Sequence, residues 1–430
     1  MILVITLVIL CLALLIGMSV PLAFGLTMIY VAYAGGHDFS TLLTSGHWRM
    51  NALVLMAIPL FIMAGGIMAK GRIAAPLVEL ANLFVGRYKG GLSAAAVVAS
   101  AIFGSISGSA SATLTCIGSI MLPQLKAANY PRGLSAAIVA NAAPLGLLIP
   151  PSSLMIIYAW VTRQSVLQVF LATIIPGLIL VFLLVVVNFF LLRNNKEIKT
   201  MPPVENFPKE VAQTTWRAIP AIIMPVIILG GIYGGIMTPT EAAGIAVIYA
   251  IPVGFLVYKG LNRSNFGDVI LETATTTGVV MVMFFMVMIV SRLLIFEDIP
   301  GLAKSLVFSV SDNPIVIMLM VNVVLVLIGM LMDDVSGILL GAPMLFPIIT
   351  ELGIDPVQFA AIIGVNLGMG NVTPPTAPLL YLGARVGNTP VVEMIWPTLI
   401  MILFAWIPTL IITTYVPEVS LWLPNLLLGR

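Results

Sequence analysis

Two proline pairs are the residues best placed to do chemistry in this chain. The first closes the run Asn141-Ala-Ala-Pro-Leu-Gly146-Leu-Leu-Ile149-Pro150-Pro151-Ser152-Ser153, and the second closes Asn366-Leu-Gly-Met-Gly370-Asn-Val-Thr373-Pro374-Pro375-Thr376. Proline has no N–H and its ring clashes with the preceding turn, so neither run continues as a helix. Carbonyls freed in apolar surroundings are tolerated only where protein, water or an ion satisfies them. A glycine ahead of each pair lets backbone approach a ligand closely. The chemistry this suggests is cation binding by carbonyl oxygens of a break together with hydroxyl or carboxylate oxygens of a neighbouring turn. Hard cations take oxygen ligands, and sodium fits the same logic. Ser107, Gly146, Ile149 and Pro151 are expected at a first site with Asn141 in support; symmetry nominates Asp334, Gly370, Thr373 and Pro375 for a second, beside Asp333. The plainer alternative is a pair of kinks, but two matched breaks, each with a polar patch upstream, favour binding.

Those patches are Gly104-Ser-Ile-Ser-Gly-Ser-Ala-Ser111, with Thr113 beyond it, and Asp333-Asp334-Val-Ser336-Gly337. A charge at a bilayer centre costs on the order of 2.5–3.5 kcal/mol on insertion scales, so such residues usually face a cavity and carry function. Ile106 occupies the place where a nucleophile elbow needs serine, and a phosphate loop lacks its Gly-Lys dipeptide. Adjacent aspartates raise an intramembrane aspartyl hydrolase as a rival, yet that chemistry needs carboxylates sharing a proton across facing elements, and sequence neighbours point apart. Arg163, Arg292, Glu297, Asp298 and Arg385 read as helix ends snorkelling to water, with Arg292 and Arg385 also able to pair a substrate carboxylate. Glu241 reads as the acidic first turn of a helix. His37 and His47, with Cys11 and Cys116, offer neither a zinc site nor a disulfide framework.

The elements that must hold these residues lie in lipid. Of 430 residues 60% are apolar and 8% charged, where a soluble domain carries about 25% charged residues. The mean hydropathy is +1.14. This excludes a soluble enzyme, a nucleic-acid binder and a disordered scaffold, and a net charge of +2 points to no polyanionic partner. The apolar start reads as an uncleaved membrane helix. Apolar segments fall at 1–18, 20–35, 51–69, 73–87, 92–126, 132–162 and 166–192, then at 217–236, 240–258, 268–296, 299–311, 314–350, 356–384 and 391–415. A polar linker at 193–216, with Pro202, Pro203 and Pro208, separates them and is cytoplasmic if the positive-inside rule holds.

Equal segment counts and matched motifs make two repeats, 1–192 and 217–430. The segments 92–126 and 314–350 would each be about 50 Å long as one helix, too long for a core of about 30 Å, so each is expected to be a re-entrant hairpin. If two of the seven segments in each half are arms of one hairpin or lie on the membrane surface, the number of crossings is odd and the halves are inverted. The expected fold is therefore an all-α polytopic membrane protein of two inverted repeats, each with a hairpin and a broken helix, at 132–162 and 356–384, as in secondary transporters. Substrate is expected between the tips, near Ser109, Ser111, Ser152, Ser153 and Thr376.

The Phe103-Gly-Ser-Ile-Ser-Gly-Ser tip, the Pro144-Leu-Gly-Leu-Leu-Ile-Pro-Pro-Ser break, the Thr238-Pro-Thr-Glu-Ala-Ala start and the Asn371-Val-Thr-Pro-Pro break resemble the large membrane subunit of the tripartite ATP-independent periplasmic (TRAP) transporters over residues 1–415. The resemblance implies a sodium-driven importer of organic acids, dicarboxylates or sialic acid, in a bacterial inner membrane, working as an elevator without an organic cofactor. It implies two partners: a small membrane subunit, here expected as a separate polypeptide, and a soluble periplasmic binding protein. A channel and the hydrolase remain the alternatives.

Overall fold

Each half of the chain supplies outer helices, a hairpin, a helix broken at its Pro-Pro pair, and a closing span. The computed structural model describes residues 2–195, 197–200 and 206–429, and within them every regular element is helical. The first half comprises α1 (Ile2–Leu15), α2 (Val20–Ala34), α3 (Phe39–Met50), α4 (Ala57–Lys70), α5 (Ala74–Val85), α6 (Gly91–Ser107), α7 (Ala110–Ala127), α8 (Arg132–Ala142), α9 (Leu145–Leu148), α10 (Ser153–Thr162) and α11 (Val166–Leu192). The second comprises α12 (Phe207–Tyr233), α13 (Pro239–Pro252), α14 (Arg263–Phe296), α15 (Ile299–Val310), α16 (Pro314–Leu331), α17 (Asp334–Glu351), α18 (Pro356–Gly370), α19 (Pro378–Gly387), α20 (Val391–Met401), α21 (Ile407–Tyr415) and α22 (Pro417–Leu428). A π turn, Ile402–Trp406, joins α20 to α21 into one span. Among the described residues eight helices are long and apolar enough to cross a membrane, and the pair Arg132–Leu148 and Ser153–Thr162, bent by 42°, makes a ninth.

Both long segments expected to fold back do so. Ser107 ends α6, Gly108 turns in the left-handed region (φ 59°), and Ser109 caps α7 by accepting from the Ala112 N–H. In the second hairpin Asp333 caps α17 by accepting from the Val335 N–H. A capping oxygen satisfies one of the orphan N–H groups of the first turn, worth about 1 kcal/mol. The same number of residues separates Ser109 from Pro150 as separates Asp333 from Pro374, so the two N-caps are equivalent positions.

The two broken helices run antiparallel. Tyr158, near the end of the first, donates its hydroxyl to the Pro356 carbonyl at the start of the second (2.6 Å). At the other end Gly133, in the first turn of α8, packs on Glu393 just beyond α19, and Gly387 packs on Ala136. The second arm of each hairpin packs against the post-break helix of the other half, α7 on α19 and α17 on α10. This exchange is what a two-fold relation between inverted halves produces. Outside this body the outer helices pair across the halves as well, α2 with α14 and α13 with α4.

Several boundaries differ from expectation. α1 and α2 have 14 and 15 residues, short of the roughly 20 needed for a full crossing, and turn at Gly17 in the left-handed region. α12 starts inside the polar stretch, at Phe207, because Pro208 in its first turn and Glu210 suit a helix N-terminus. Pro202 and Pro203 lie outside the described residues. The turn around Glu241 is a capping box, with Thr238 and Glu241 each accepting from the other's backbone N–H. α3, capped by Asp38, and α22 lie in stretches assigned to no segment.

Glycine sets the hairpin-to-break distance in both halves. A Cβ on Gly104 would stand 2.5 Å from the Gly146 Cα, and one on Gly370 would stand 2.7 Å from the Gly329 Cα. A Cβ on Gly244, in α13, meets nothing within 4 Å. Gly370→Ala is expected to destabilise the protein by about 1–3 kcal/mol through overpacking, while Gly244→Ala leaves stability unchanged or raises it slightly. Thermal unfolding in nanodiscs checks the contrast; equal melting temperatures for the two variants would show that the crossing is not tight.

Candidate functional site

Pro150 and Pro151 stand four residues after Gly146 and Leu147 and so have no N–H to return to those carbonyls. The hairpin tip fills the gap that this leaves. A Cβ on Gly108 would lie 3.3 Å from the Pro151 carbonyl oxygen and 3.1 Å from the Ser153 nitrogen. The Ser153 hydroxyl donates to the Gly108 carbonyl at 2.8 Å. Ser107 and Thr113 hydroxyls are 3.0 Å apart, and Thr113 donates to the Ser109 carbonyl at 2.8 Å. With its one hydrogen committed there, Thr113 accepts from Ser107, and both oxygens keep lone pairs free. Ser152 is fully buried and its hydroxyl has no hydrogen-bond partner.

The second break is tied to its tip differently. Asn371 Nδ2 donates to Asp334 Oδ1, and the Thr376 hydroxyl donates to the Met330 carbonyl at the end of α16. Asp333 Oδ2 accepts from the Val335 N–H at 3.1 Å while Oδ1 finds no partner. Within the loop the Gly370 carbonyl accepts from Thr373 N–H at 3.0 Å, and the Asn371 carbonyl from Leu379 N–H at 3.1 Å. The Thr373 hydroxyl donates to the Met369 carbonyl at 2.6 Å, and the Pro375 carbonyl accepts from Tyr381 at 3.4 Å. Both Pro-Pro bonds are cis.

Of the residues expected at the first site, Ser107, Gly146 and Pro151 come together at the tip. Ile149 is expected to contribute its carbonyl, and its side chain packs toward α11, against Gly177. Asn141 is committed elsewhere: its Nδ2 donates to Ala137 O and Thr398 Oγ1, and its Oδ1 accepts from the Trp406 indole at 3.2 Å. It joins the first broken helix to the α20–α21 span and does not reach the tip. Asp334, Gly370, Thr373 and Pro375 share the second break, yet the equivalence drawn between Ser107 and Asp334 is displaced, since Asp333 is the residue that matches Ser109. Among the expected substrate residues, Ser109 is half-buried at the tip, Ser111 is exposed, and Ser152 is buried and unpartnered. Ser153 and Thr376 hold the tips through their hydroxyl hydrogens. Thr113, named with the serine cluster but assigned to no site, lies one helical turn after Ser109 and joins the first tip. Asn371 was missed: it directly follows Gly370 but has no polar counterpart in the first half.

The breaks adjoin, with Gly364 of α18 against Met155 and Leu148, and Gly368 against Pro144. Arg163, Glu297, Asp298 and Arg385 sit at helix ends, as expected.

Residues 3–419 match the family model described as tripartite ATP-independent periplasmic transporter, DctM component. The C4-dicarboxylate TRAP transporter large permease protein DctM of Pseudomonas aeruginosa is 39% identical over 384 residues, covering 89% of this chain and 87% of that protein. The sialic acid TRAP transporter large permease protein SiaM of Vibrio cholerae is 30% identical over 416 residues, covering 96% of each. The isethionate TRAP transporter permease protein DctMQ of Oleidesulfovibrio alaskensis is 33% identical and covers 95% of this chain, which matches 65% of that longer protein. Among solved structures, the YdaH transporter of Alcanivorax borkumensis shares the fold, with a TM-score of 0.57 at 14% identity over 88% of this chain and 89% of that one. Eight helices among the described residues long and apolar enough to cross a membrane, two hairpin-bound breaks and a family match across nearly the whole length lead to one assignment: this multi-pass inner-membrane protein belongs to the DctM component family of the tripartite ATP-independent periplasmic transporters.

Proposed function

We propose that this chain imports an organic acid anion, driven by sodium, with its hairpins and broken helices moving as one body against the outer helices. The observation that carries the sodium reading is the donor balance at the breaks. Oxygen outnumbers N–H there: prolines supply none, Thr113 and Ser107 have their hydrogens committed, and Ser152 Oγ and Asp333 Oδ1 are buried without a partner. Oxygen-rich, hydrogen-poor sites suit a hard cation. Ser107, Thr113 and the Gly146 and Pro151 carbonyls would hold one ion; Asp334, Asp333 and the carbonyls around Thr373 would hold the other. A bound cation supplies the positive charge against which an anion can rest.

The anion class rests on the relatives, whose names specify C4-dicarboxylate, sialic acid and isethionate; all three ligands are organic anions. A small membrane subunit and a periplasmic binding protein are the proposed partners. For orientation, the linker docks on the base of the first hairpin, through Lys199 N–H to Ala128 O and Lys89 Nζ to Arg193 O. Arg87, Lys126 and Arg132 stand on or beside the same base, so the positive-inside rule makes this face cytoplasmic.

Uptake of labelled succinate, N-acetylneuraminate and isethionate into proteoliposomes holding the chain with both partners tests the reading. An inward sodium gradient is expected to drive uptake of one of them, and equal uptake without sodium would falsify the coupling. Ser107→Ala and Thr113→Val are each expected to raise the sodium concentration for half-maximal uptake by roughly tenfold, as loss of one good ligand removes about 1.4 kcal/mol; an unchanged sodium response removes those residues from the site. Asp334→Ala and Asn371→Ala are expected to be non-additive in a double-mutant cycle on thermal stability, with a coupling of about 1–3 kcal/mol. Additive effects would show that the Asn371 to Asp334 bond does not form.

A further inference from the structure

Three arginines from three elements converge on the face opposite the linker. Arg49 lies in the last turn of α3, Arg163 directly follows α10 in the left-handed region (φ 57°), and Arg292 lies one turn from the end of α14. Gly46 of α3 packs on Phe285 and Ile289 of α14, and Arg292 Nη1 donates to Ser45 Oγ. Trp160, just ahead of Arg163, meets Phe284 of α14 at 5.5 Å between ring centroids. Arg292 also lies 5.1 Å over the Phe296 ring. The face is fixed by Tyr158, whose bond to Pro356 marks the end of the broken helices away from the linker.

Among the described residues none of the three forms an ion pair. Two acids at this end have other partners, Glu297 with His37 at 2.9 Å and Glu351 with Lys304 at 2.8 Å. Desolvation, and after it the charges of Arg292 and Arg163, hold the Arg49 guanidinium below the ordinary arginine pKa. Like charges gathered together repel one another, and they create a local positive potential that draws anions. Guanidinium forks match carboxylate and sulfonate oxygens in pairs. Arg163 belongs to the broken-helix body, whereas Arg49 and Arg292 belong to the outer helices, so the cluster spans the seam between them.

We propose that Arg49, Arg163 and Arg292 form a receiving site for the carboxylate or sulfonate of a small organic anion, occupied before the anion reaches the hairpin tips. The role as an entry station rests on the transport reading above; anion binding by the three arginines does not. Arginine-specific labelling with phenylglyoxal, followed by mass spectrometry of the full chain in sodium-free nanodiscs, tests the binding. Succinate, N-acetylneuraminate or isethionate is expected to slow labelling of Arg49 and Arg163 about fivefold or more, while Arg87 on the linker face is unaffected. Neutral succinamide should do nothing. Slowing by choline chloride at matched ionic strength, equal slowing at Arg87, no slowing by any of the three anions, or protection only when the binding protein is present would each overturn the site. In uptake assays Arg49→Gln and Arg163→Gln are expected to raise the KM for the anion by roughly tenfold with the sodium response unchanged, and Arg49→Lys to recover part of the loss. An unchanged KM overturns the entry role. Sodium-independent uptake would defeat the coupling reading and leave the labelling result standing.

Discussion

Four proline nitrogens without hydrogen set the terms for the centre of this protein. Pro150 and Pro151 have no N–H to return to the Gly146 and Leu147 carbonyls, while at the second break the Gly370 and Asn371 carbonyls accept from the Thr373 and Leu379 N–H groups instead; a buried carbonyl without a donor costs on the order of 1–3 kcal/mol. Each break lies against a hairpin tip, and the side-chain hydrogen bonds between them are donated by the break to the tip. Glycines at the crossings, Gly104 on Gly146 and Gly329 on Gly370, allow backbone to touch backbone. A hydroxyl after each pair, Ser153 or Thr376, then reaches back to a tip carbonyl. Helix, hairpin and break hold one another, which is why the hairpins turn inward instead of emerging into water.

The two halves meet this constraint with different chemistry. The first tip is built of hydroxyls, and an ion there would be held by dipoles alone. The second carries two carboxylates, one tied to Asn371 and one with an unpartnered oxygen, so charge adds to the dipoles.

Much of this was legible before any coordinates. Long apolar segments, their polar centres and the repeated Pro-Pro pairs pointed to the hairpins and breaks, because a missing N–H and the length of an apolar run are read from sequence and the bilayer thickness they are held against is known. What was not legible depends on which way a side chain turns. Asn141 sits on the broken helix but faces Thr398 and Trp406, a packing partner far along the chain. Ser153 and Thr376 look like ligand hydroxyls until their hydrogens are seen to be committed. Asn371 has no counterpart in the first half, so symmetry pointed away from it. α3, with its Asp38 cap, has too little apolar sequence to register as a span.

The central claim is that the two tip-and-break pairs bind sodium together. Hydrogen–deuterium exchange of the protein in nanodiscs, compared in sodium and in potassium at equal ionic strength, tests it most directly. Sodium is expected to slow exchange in peptides covering Ile106–Thr113, Pro151–Ser153, Asp333–Gly337 and Gly370–Ala377 while leaving the outer helix α13 unchanged. Indistinguishable exchange at both tips in the two salts would contradict the account.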